Sequence, residues 1–287
     1  MAHKIKGKIA DVSKWQGKID WAKAAKELDF AIIRVQDNMI ADVRLAENIR
    51  GAEANSVPYG VYAYYRAKTV AAAIEEADRF YDRAKAAGAA PRIWYIDVEN
   101  KTAGWPTQRK AVAAYANRLR ERGAKCVGLY TFQAMYPYLK DIVHLLDDVW
   151  LARYGDKKTN LAGRPGKRPS HRCGLWQYTS CGQLAGVKGR VDLNFAVDKP
   201  LGWYTGLVYE DDEENAVEDN APGYGRVRVT GLTAWVRGGP GKTARKLGVV
   251  KRGRVLERTG DDADGWYGIE HKGDRAYISA KMAKVVA

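Results

Sequence analysis

The chain has 287 residues and a net charge of +14, with nine tryptophans and seventeen tyrosines. Its length exceeds one average domain and suits a barrel of alternating strands and helices with a small appendage. No apolar run of 18 residues occurs, so the sequence predicts no membrane insertion. The four histidines are scattered and no cofactor-binding motif occurs, so we expect neither a metal site nor a cofactor.

The charge is unevenly distributed along the chain. Residues 210–219 carry seven acidic side chains and no Lys or Arg, which leaves +21 for the rest. A chain this basic favours a polyanionic partner, and the sign of the charge alone leaves nucleic acid, anionic lipid and an anionic cell wall open. No segment resembles a nucleic-acid-binding module, so we expect no nucleic-acid partner.

Strand-like and helix-like stretches alternate from the N-terminus to about residue 200. Apolar runs predict eight strands, at 8–12, 30–36, 59–66, 92–99, 125–132, 149–154, 175–179 and 191–197. Capping residues and helical periodicity predict helices at 20–28, 41–54, 69–87, 107–122 and 136–147. The segment 157–172, rich in Gly, Pro and Lys, is assigned to no regular element. This order favours a parallel α/β barrel over residues 1–200, irregular because its late helices are short or missing.

The remainder of the chain changes character. Residues 201–224 combine an aromatic patch with the acidic run, and we interpret them as a solvated linker. Residues 225–287 contain short β-like stretches with turn signals every 8–12 residues and a net charge of +8. They predict a small all-β barrel as a second domain.

The strand predicted at 92–99 ends in two carboxylates, Asp97 and Glu99. Side chains at i and i+2 of a strand point to the same side, with Cα atoms roughly 6.6 Å apart. One carboxyl group of such a pair is expected to stay protonated while its neighbour ionises. That combination is what glycoside hydrolysis requires. A solvated strand end or half of a Ca²⁺ site is the alternative interpretation of the motif alone.

Two further carboxylates, Asp11 and Asp192, are candidates for the same site, and the predicted strands place Asp11 there more readily than Asp192. Asp11 falls at the end of the first predicted strand, and active sites of such barrels lie at the carboxyl ends of the strands. Asp192 falls near the start of its strand. That strand has to be short or displaced for Asp192 to reach the end of the barrel that carries Asp11, Asp97 and Glu99.

Several motifs resemble those of one enzyme family. The segments DVSKWQGKIDW at 11–21 and YIDVE at 95–99 are similar to motifs of glycoside hydrolase family 25, the lysozyme-type muramidases of bacteria and phage endolysins. Further matches follow in the family's order: GVYAY at 60–64, GLYT at 128–131, WLARY at 150–154, WQYT at 176–179 and VDLNF at 191–195. The tail resembles bacterial SH3-like cell-wall-binding domains through AWVRGGPG at 234–241, GWY at 265–267 and AYIS at 276–279.

The resemblance implies a flattened, irregular (β/α) barrel that hydrolyses the β-1,4 bond between N-acetylmuramic acid and N-acetylglucosamine. It implies a retaining, substrate-assisted route in which Glu99 is the general acid and Asp97 orients the 2-acetamido group. Asp11 and Asp192 are then expected to set the pKa values of the cluster. The predicted substrate-binding set is Tyr62, Tyr64, Tyr130, Trp150, Gln177 and Arg34. Core packing is the alternative for the aromatic members, and pairing with the acidic cluster is the alternative for Arg34.

The resemblance further implies a partner and a place of action. Bacterial peptidoglycan is the expected partner, with the glycan strand in the barrel groove and a wall peptide or wall polymer at the tail. No secretory signal precedes the first predicted strand, so we expect synthesis in a host cytoplasm and holin-type release to the cell wall. The rival hypotheses are a catalytically inactive wall-binding lectin and a chitinase-like hydrolase. The D-x-x-D-x-D-x-E run of chitinases is absent.

Overall fold

The computed structural model of the chain describes residues 3–209, 226–259, 261–263, 265–271 and 274–286. The chain divides into two compact units. The first contains the described residues up to 209 except 170–172, and the second contains those three residues and the described residues from 226 onward.

The described part of the first unit is built from short strands and helices. The strands are β1 (Lys8–Val12), β2 (Leu28–Asp37), β3 (Ile40–Ala41), β4 (Tyr59–Tyr64), β5 (Trp94–Asp97), β6 (Val127–Phe132), β7 (Asp148–Ala152), β8 (Leu175–Gly182) and β9 (Val191–Ala196). The helices are α1 (Trp21–Ala24), α2 (Leu45–Ala54), α3 (Val70–Ala86), α4 (Trp105–Glu121), α5 (Tyr136–Leu139), α6 (Lys157–Leu161) and α7 (Leu201–Thr205). Short 3₁₀ turns cover Lys14–Gln16 and Lys140–Leu145.

Eight of these strands close into a barrel in the order β1-β9-β8-β7-β6-β5-β4-β2, with β1 pairing back to β2. Neighbouring strands are parallel from β1 through β2, β4, β5, β6 and β7 to β8. Strand β9 is antiparallel to both β8 and β1. The irregular α/β barrel is thus confirmed, but the expectation that all eight strands are parallel is wrong. A connection of eight residues joins β8 to β9, which is too short for a crossover helix and suits an antiparallel return.

The reversed direction of β9 decides where Asp192 lies. Asp192 is the second residue of β9 and pairs directly with Asp11 near the end of β1. The start of an antiparallel strand lies at the same edge as the ends of its parallel neighbours. Asp192 therefore reaches the mouth of the barrel without any displacement of its strand.

Aromatic side chains fill the interior of the barrel. Phe30, Tyr95 and Trp150 are fully buried there, and the Tyr95 and Trp150 rings lie 5.2 Å apart between centroids. A second apolar layer separates the barrel from the outer helices, where Phe80 of α3 packs against Tyr115 of α4. Filling the interior with large rings makes the barrel a packed core instead of a channel.

Helix α7 belongs to this core, although the sequence assigned residues 201–224 to a linker. Tyr204 is fully buried and its ring lies 5.7 Å from that of Phe30. The Tyr204 and Tyr95 hydroxyls donate to Asp148 Oδ2 over 3.0 and 2.6 Å, and burial raises the pKa of Asp148 to about 6. Because Asp148 begins β7, this contact lies at the end of the barrel opposite Asp97. The rest of the predicted linker, 210–224, lies outside the described residues.

Smaller departures from the predicted elements have local causes. The segment 157–172 contains α6, which begins where the Asp156 side chain accepts the N–H of Thr159. The helix predicted at 20–28 has only four residues, because the chain enters β2 at Leu28. The helix predicted at 136–147 divides into α5 and a 3₁₀ turn.

The second unit is all β among its described residues. Its strands are β10 (Arg226–Val229), β11 (Thr233–Arg237), β12 (Lys246–Lys251), β13 (Val255–Glu257), β14 (Trp266–His271), β15 (Asp274–Ser279) and β16 (Ala283–Val286). They form a sheet β13-β10-β16 and a sheet β12-β11-β15-β14 around a small core that includes Val227, Val236 and Ile278. The predicted small all-β unit is confirmed.

Candidate active site

An open cavity of about 610 Å³ lies at the carboxyl ends of the parallel barrel strands. Seven of the ten residues predicted for the site line it: Asp11, Asp97, Glu99, Asp192, Tyr62, Tyr64 and Arg34. The four predicted carboxyl groups therefore share one environment. This placement meets the main geometric requirement of the sequence-based hypothesis.

Asp97 and Glu99 form a coupled pair at the end of β5. Asp97 is the last residue of the strand and is buried, whereas Glu99 follows it and is half-buried. Burial raises the pKa of both groups, and the neighbouring carboxylates raise them further. The charge of Glu99 adds to the rise at Asp97, and the charge of Asp11 adds to the rise at both groups. The raised pKa values favour a proton on one carboxyl group of the pair.

Asp11 and Asp192 form a second coupled pair across the β1–β9 ladder. Burial raises the pKa of Asp11 to about 6, although Asn194 and Gln177 both donate to its Oδ2 atom over 2.9 Å. Burial and the charge of Asp11 raise the pKa of Asp192 to about 8. Near neutral pH the cluster therefore holds protons on some of its carboxyl groups, because four charges cannot be accommodated together in a site shielded from water.

Three predicted substrate-binding residues lie beneath the cavity and do not line it. Tyr130, Trp150 and Gln177 are all buried. The Tyr130 hydroxyl donates to Gln177 Oε1 over 2.7 Å, and Trp150 Nε1 donates to Asn194 Oδ1 over the same distance. None of the three is among the residues that line the cavity, and their contact with substrate stays a prediction. They orient the two amides that hold Asp11, since a strand-end motif does not reveal which side chains face the barrel interior.

Arg34 lines the cavity, but its ion pair is with Asp42 and not with the four carboxylates of the cluster. Its Nε donates to Asp42 Oδ2 over 2.7 Å, and both side chains are buried. The Asp42 carboxylate also accepts the backbone N–H groups of Lys14 and Arg44. Arg34 still acts on the cluster, because its charge lowers the pKa of Asp97 and so offsets part of the rise caused by burial.

Several lining residues were not predicted from the sequence. Trp15 is 75% exposed at the rim, and Ser13, Gln16, Ser180, Lys188 and Arg190 complete the walls. Ser13 and Gln16 form a capping box at the 3₁₀ turn that follows β1. The sequence signal for that turn is the S-x-x-Q spacing within the DVSKWQG motif. The loop between β8 and β9 carries no comparable signal.

A barrel that places two carboxyl groups with raised pKa values in an open trough at its strand ends has the arrangement of a glycoside hydrolase. The family model "Glycosyl hydrolases family 25" matches residues 10–187, and this chain belongs to that family. The model "Bacterial SH3 domain" matches residues 233–284 of the second unit. The protein is therefore a glycoside hydrolase with an appended SH3-like domain.

Solved structures share the barrel. GHIP, a glycosyl hydrolase 25 of Streptococcus pneumoniae, is 24% identical, with 71% of this chain and 93% of that chain covered and a TM-score of 0.64. The catalytic domain of endolysin ply40 from bacteriophage P40 of Listeria monocytogenes is 25% identical, with coverages of 72% and 100% and a TM-score of 0.63. The modular autolysin LytC of S. pneumoniae, solved with a synthetic peptidoglycan ligand, is 28% identical, with coverages of 65% and 46% and a TM-score of 0.56.

Proposed function

We propose that this protein is an N-acetylmuramidase that cleaves the β-1,4 bond between N-acetylmuramic acid and N-acetylglucosamine in peptidoglycan. The observation that carries the proposal is the carboxyl pair of Asp97 and Glu99, which lines an open trough and whose pKa values are raised. The similarity to an autolysin crystallised with a peptidoglycan ligand, and to a phage endolysin, supports peptidoglycan as the substrate.

In the proposed reaction, the proton held by the pair passes through Glu99 to the oxygen that links the two sugars as the bond from C1 to that oxygen breaks. Asp97 is left ionised and accepts the N–H of the 2-acetamido group, whose carbonyl oxygen attacks C1. Water then opens the cyclic intermediate and returns a proton to Glu99. The two carboxyl groups lie two residues apart at one strand end, and this spacing favours retention, because an inverting pair must leave room for a water molecule between its carboxyl groups.

Asp11 and Asp192 tune this pair without touching the leaving oxygen. Repulsion from Asp11 is among the causes that raise the pKa values of both Asp97 and Glu99. The buried amides of Gln177 and Asn194 fix the Asp11 carboxylate in place. In the proposed mechanism Tyr62 and Tyr64 form the wall against which the sugar lies.

The second unit is proposed to hold the enzyme on the bacterial wall. Trp235 on β11 is 45% exposed, and Lys246 Nζ of the adjacent strand lies 4.2 Å from its ring centroid. An exposed ring beside an ammonium group suits a wall peptide or a wall polymer. We further propose that the protein acts as a phage endolysin, synthesised in the host cytoplasm and released to the wall through a holin-type lesion.

The test is digestion of purified peptidoglycan followed by mass spectrometry of the fragments. The wild-type chain is expected to release fragments with N-acetylmuramic acid at the reducing end, and ¹H NMR is expected to show the β-anomer first. Glu99→Gln is expected to reduce the rate by at least 10³-fold, and Asp97→Asn by several orders of magnitude, because each removes a group that acts in the transition state.

Glu75→Gln, on the exposed face of α3, is the matched control and is expected to retain wild-type activity. Wild-type activity of Glu99→Gln would refute the assignment of the acid, and a loss below about tenfold in Asp97→Asn would assign Asp97 a minor role. Binding of peptidoglycan without any cleavage by the wild-type chain would favour an inactive lectin. Cleavage of chitin but not of peptidoglycan would favour a chitinase-like enzyme.

A further inference from the structure

A second cavity, of about 1050 Å³, adjoins the catalytic cavity within the barrel unit. Trp15, Gln16 and Lys188 line both cavities. Trp15 is largely exposed and lies at the boundary that the two cavities share. A substituent on a sugar bound in the catalytic cavity can therefore enter the second cavity without leaving the protein surface.

The charged side chains of this second cavity are not balanced. Three cations and two anions line it: Lys18, Lys23, Lys188, Asp20 and Glu47. Asp20 already pairs with Lys23 over 2.9 Å, and Glu47 pairs with an arginine of the same helix turn. Lys18 and Lys188 are exposed and form no ion pair with any residue that the structure describes. The cavity thus offers two uncompensated ammonium groups to a ligand.

The wall that carries Lys188 is fixed to the segment that carries Lys18. The backbone carbonyl of Gly186 accepts the N–H of Asp20 over 2.9 Å. Gly186 has a φ of 82°, and a Cβ atom there would lie 2.2 Å from the backbone oxygen of Asp20. Only glycine fits this close approach of two backbones. Lys188 and Lys18 each lie two residues from that contact, so the cavity is formed before a ligand arrives.

We propose that this cavity binds the stem peptide attached to the muramic acid, with the peptide's carboxylates held by Lys18 and Lys188. The proposal rests on the proposed function and refines it, because it names peptide-substituted glycan, and not bare glycan, as the preferred substrate. Without its stem peptide, each muramic acid carries a single carboxylate, on the lactyl group close to the sugar ring. The stem peptide carries several carboxylates and projects them away from the ring, so that they can reach two ammonium groups in the adjoining cavity. Trp15 offers its ring to the apolar atoms between them.

The test is a binding measurement on the full chain carrying Glu99→Gln, which prevents turnover. Isothermal calorimetry compares a tetrasaccharide of alternating N-acetylglucosamine and N-acetylmuramic acid bearing stem tetrapeptides with the same tetrasaccharide after an amidase has removed the peptides. The peptide-bearing ligand is expected to bind three- to tenfold more tightly, as two partly exposed ion pairs allow. Adding Lys18→Ala and Lys188→Ala is expected to lower that ratio, because any binding of the peptide by the second unit is the same in both proteins, and 0.5 M salt is expected to lower it through screening.

Lys110→Ala on α4 is the matched control, because it removes an exposed ammonium group that lines neither cavity. It is expected to leave the ratio unchanged. Equal binding of the two ligands by the parent, or a full preference retained by the double variant, would overturn the proposal. A wild-type chain that prefers the peptide-bearing ligand but cleaves neither would instead refute the proposed function and leave the peptide site standing.

Discussion

Replacing Asp192 with Asn tests whether the carboxyl cluster is protonated in the folded protein. Burial, followed by repulsion from Asp11 and Glu99, raises the pKa of Asp192 to about 8. An aspartate in an unfolded chain has a pKa of about 3.9. Between these two values the folded state binds a proton that the unfolded chain has released. The stabilisation due to protonated Asp192 is therefore complete below pH 3.9 and is lost as the pH rises to 8.

The magnitude follows from the two pKa values. For one group with a pKa of about 8 in the folded state and about 3.9 in the unfolded state, the free energy of unfolding falls by about 2 kcal/mol between pH 6 and pH 8. An asparagine does not titrate, so the Asp192→Asn variant lacks this share of the pH dependence. We expect the wild-type chain to lose about 2 kcal/mol more than the variant over the same interval.

The assay is urea unfolding at pH 6, 7 and 8, followed by tryptophan fluorescence. Seven of the nine tryptophans precede residue 210, so the signal reports chiefly on the barrel. Asp141→Asn removes a carboxylate on the surface of the same unit and is expected to keep the wild-type pH dependence. If wild type and Asp192→Asn lose the same free energy between pH 6 and pH 8, the interpretation of Asp192 as a protonated member of the cluster is wrong.

Two further substitutions test the frame around the site. Tyr204→Ala is expected to lower the free energy of unfolding by about 3 kcal/mol in the same urea assay, because it opens a cavity at the end of the barrel opposite the active site. A change below about 0.5 kcal/mol would show that α7 belongs to the linker and not to the barrel core. Asp42→Ala is expected to cost about 3 kcal/mol, because it leaves the buried guanidinium of Arg34 without its carboxylate. The double variant Asp42→Ala/Arg34→Met is expected to recover part of that loss, and no recovery would show that the cost arises elsewhere.

The part of the site that was predictable from the sequence is the part that is local in the chain. Asp97 and Glu99 are two residues apart, and the alternation of side chains along an extended segment is enough to bring them to one side. Asp11 lies near the end of a strand, and active sites of α/β barrels lie at the carboxyl ends of the strands, so Asp11 is expected at the same end of the barrel as Asp97. Both inferences need only the type of element and its direction.

The unpredicted parts depend on how distant segments meet. Asp192 reaches Asp11 only because β9 runs against its neighbours, and the direction of a strand follows from its connection and not from its own residues. The pairing of Arg34 with Asp42 depends on the short return of β3 onto β2. Tyr204 lies in a short stretch next to the acidic run, so the composition of that stretch suggests exposure to solvent, although its ring packs against Phe30 and covers the end of the barrel opposite the cavity.

The packing of the barrel and the chemistry of the site are one physical system. The Trp150 indole N–H donates a hydrogen bond to the Asn194 side chain, whose amide N–H donates in turn to Asp11. The charge of Asp11 then raises the pKa values of Asp97 and Glu99. The same rings exclude water from beneath the cluster, and that exclusion is the largest cause of the raised pKa values. Among the residues that the structure describes, the buried Oδ1 of Asp97 has no hydrogen-bond partner, which lowers stability at a group whose pKa is raised. An apolar substitution that enlarged the interior would admit water, lower these pKa values and deprive the pair of its proton at neutral pH, even if every carboxyl group stayed in place.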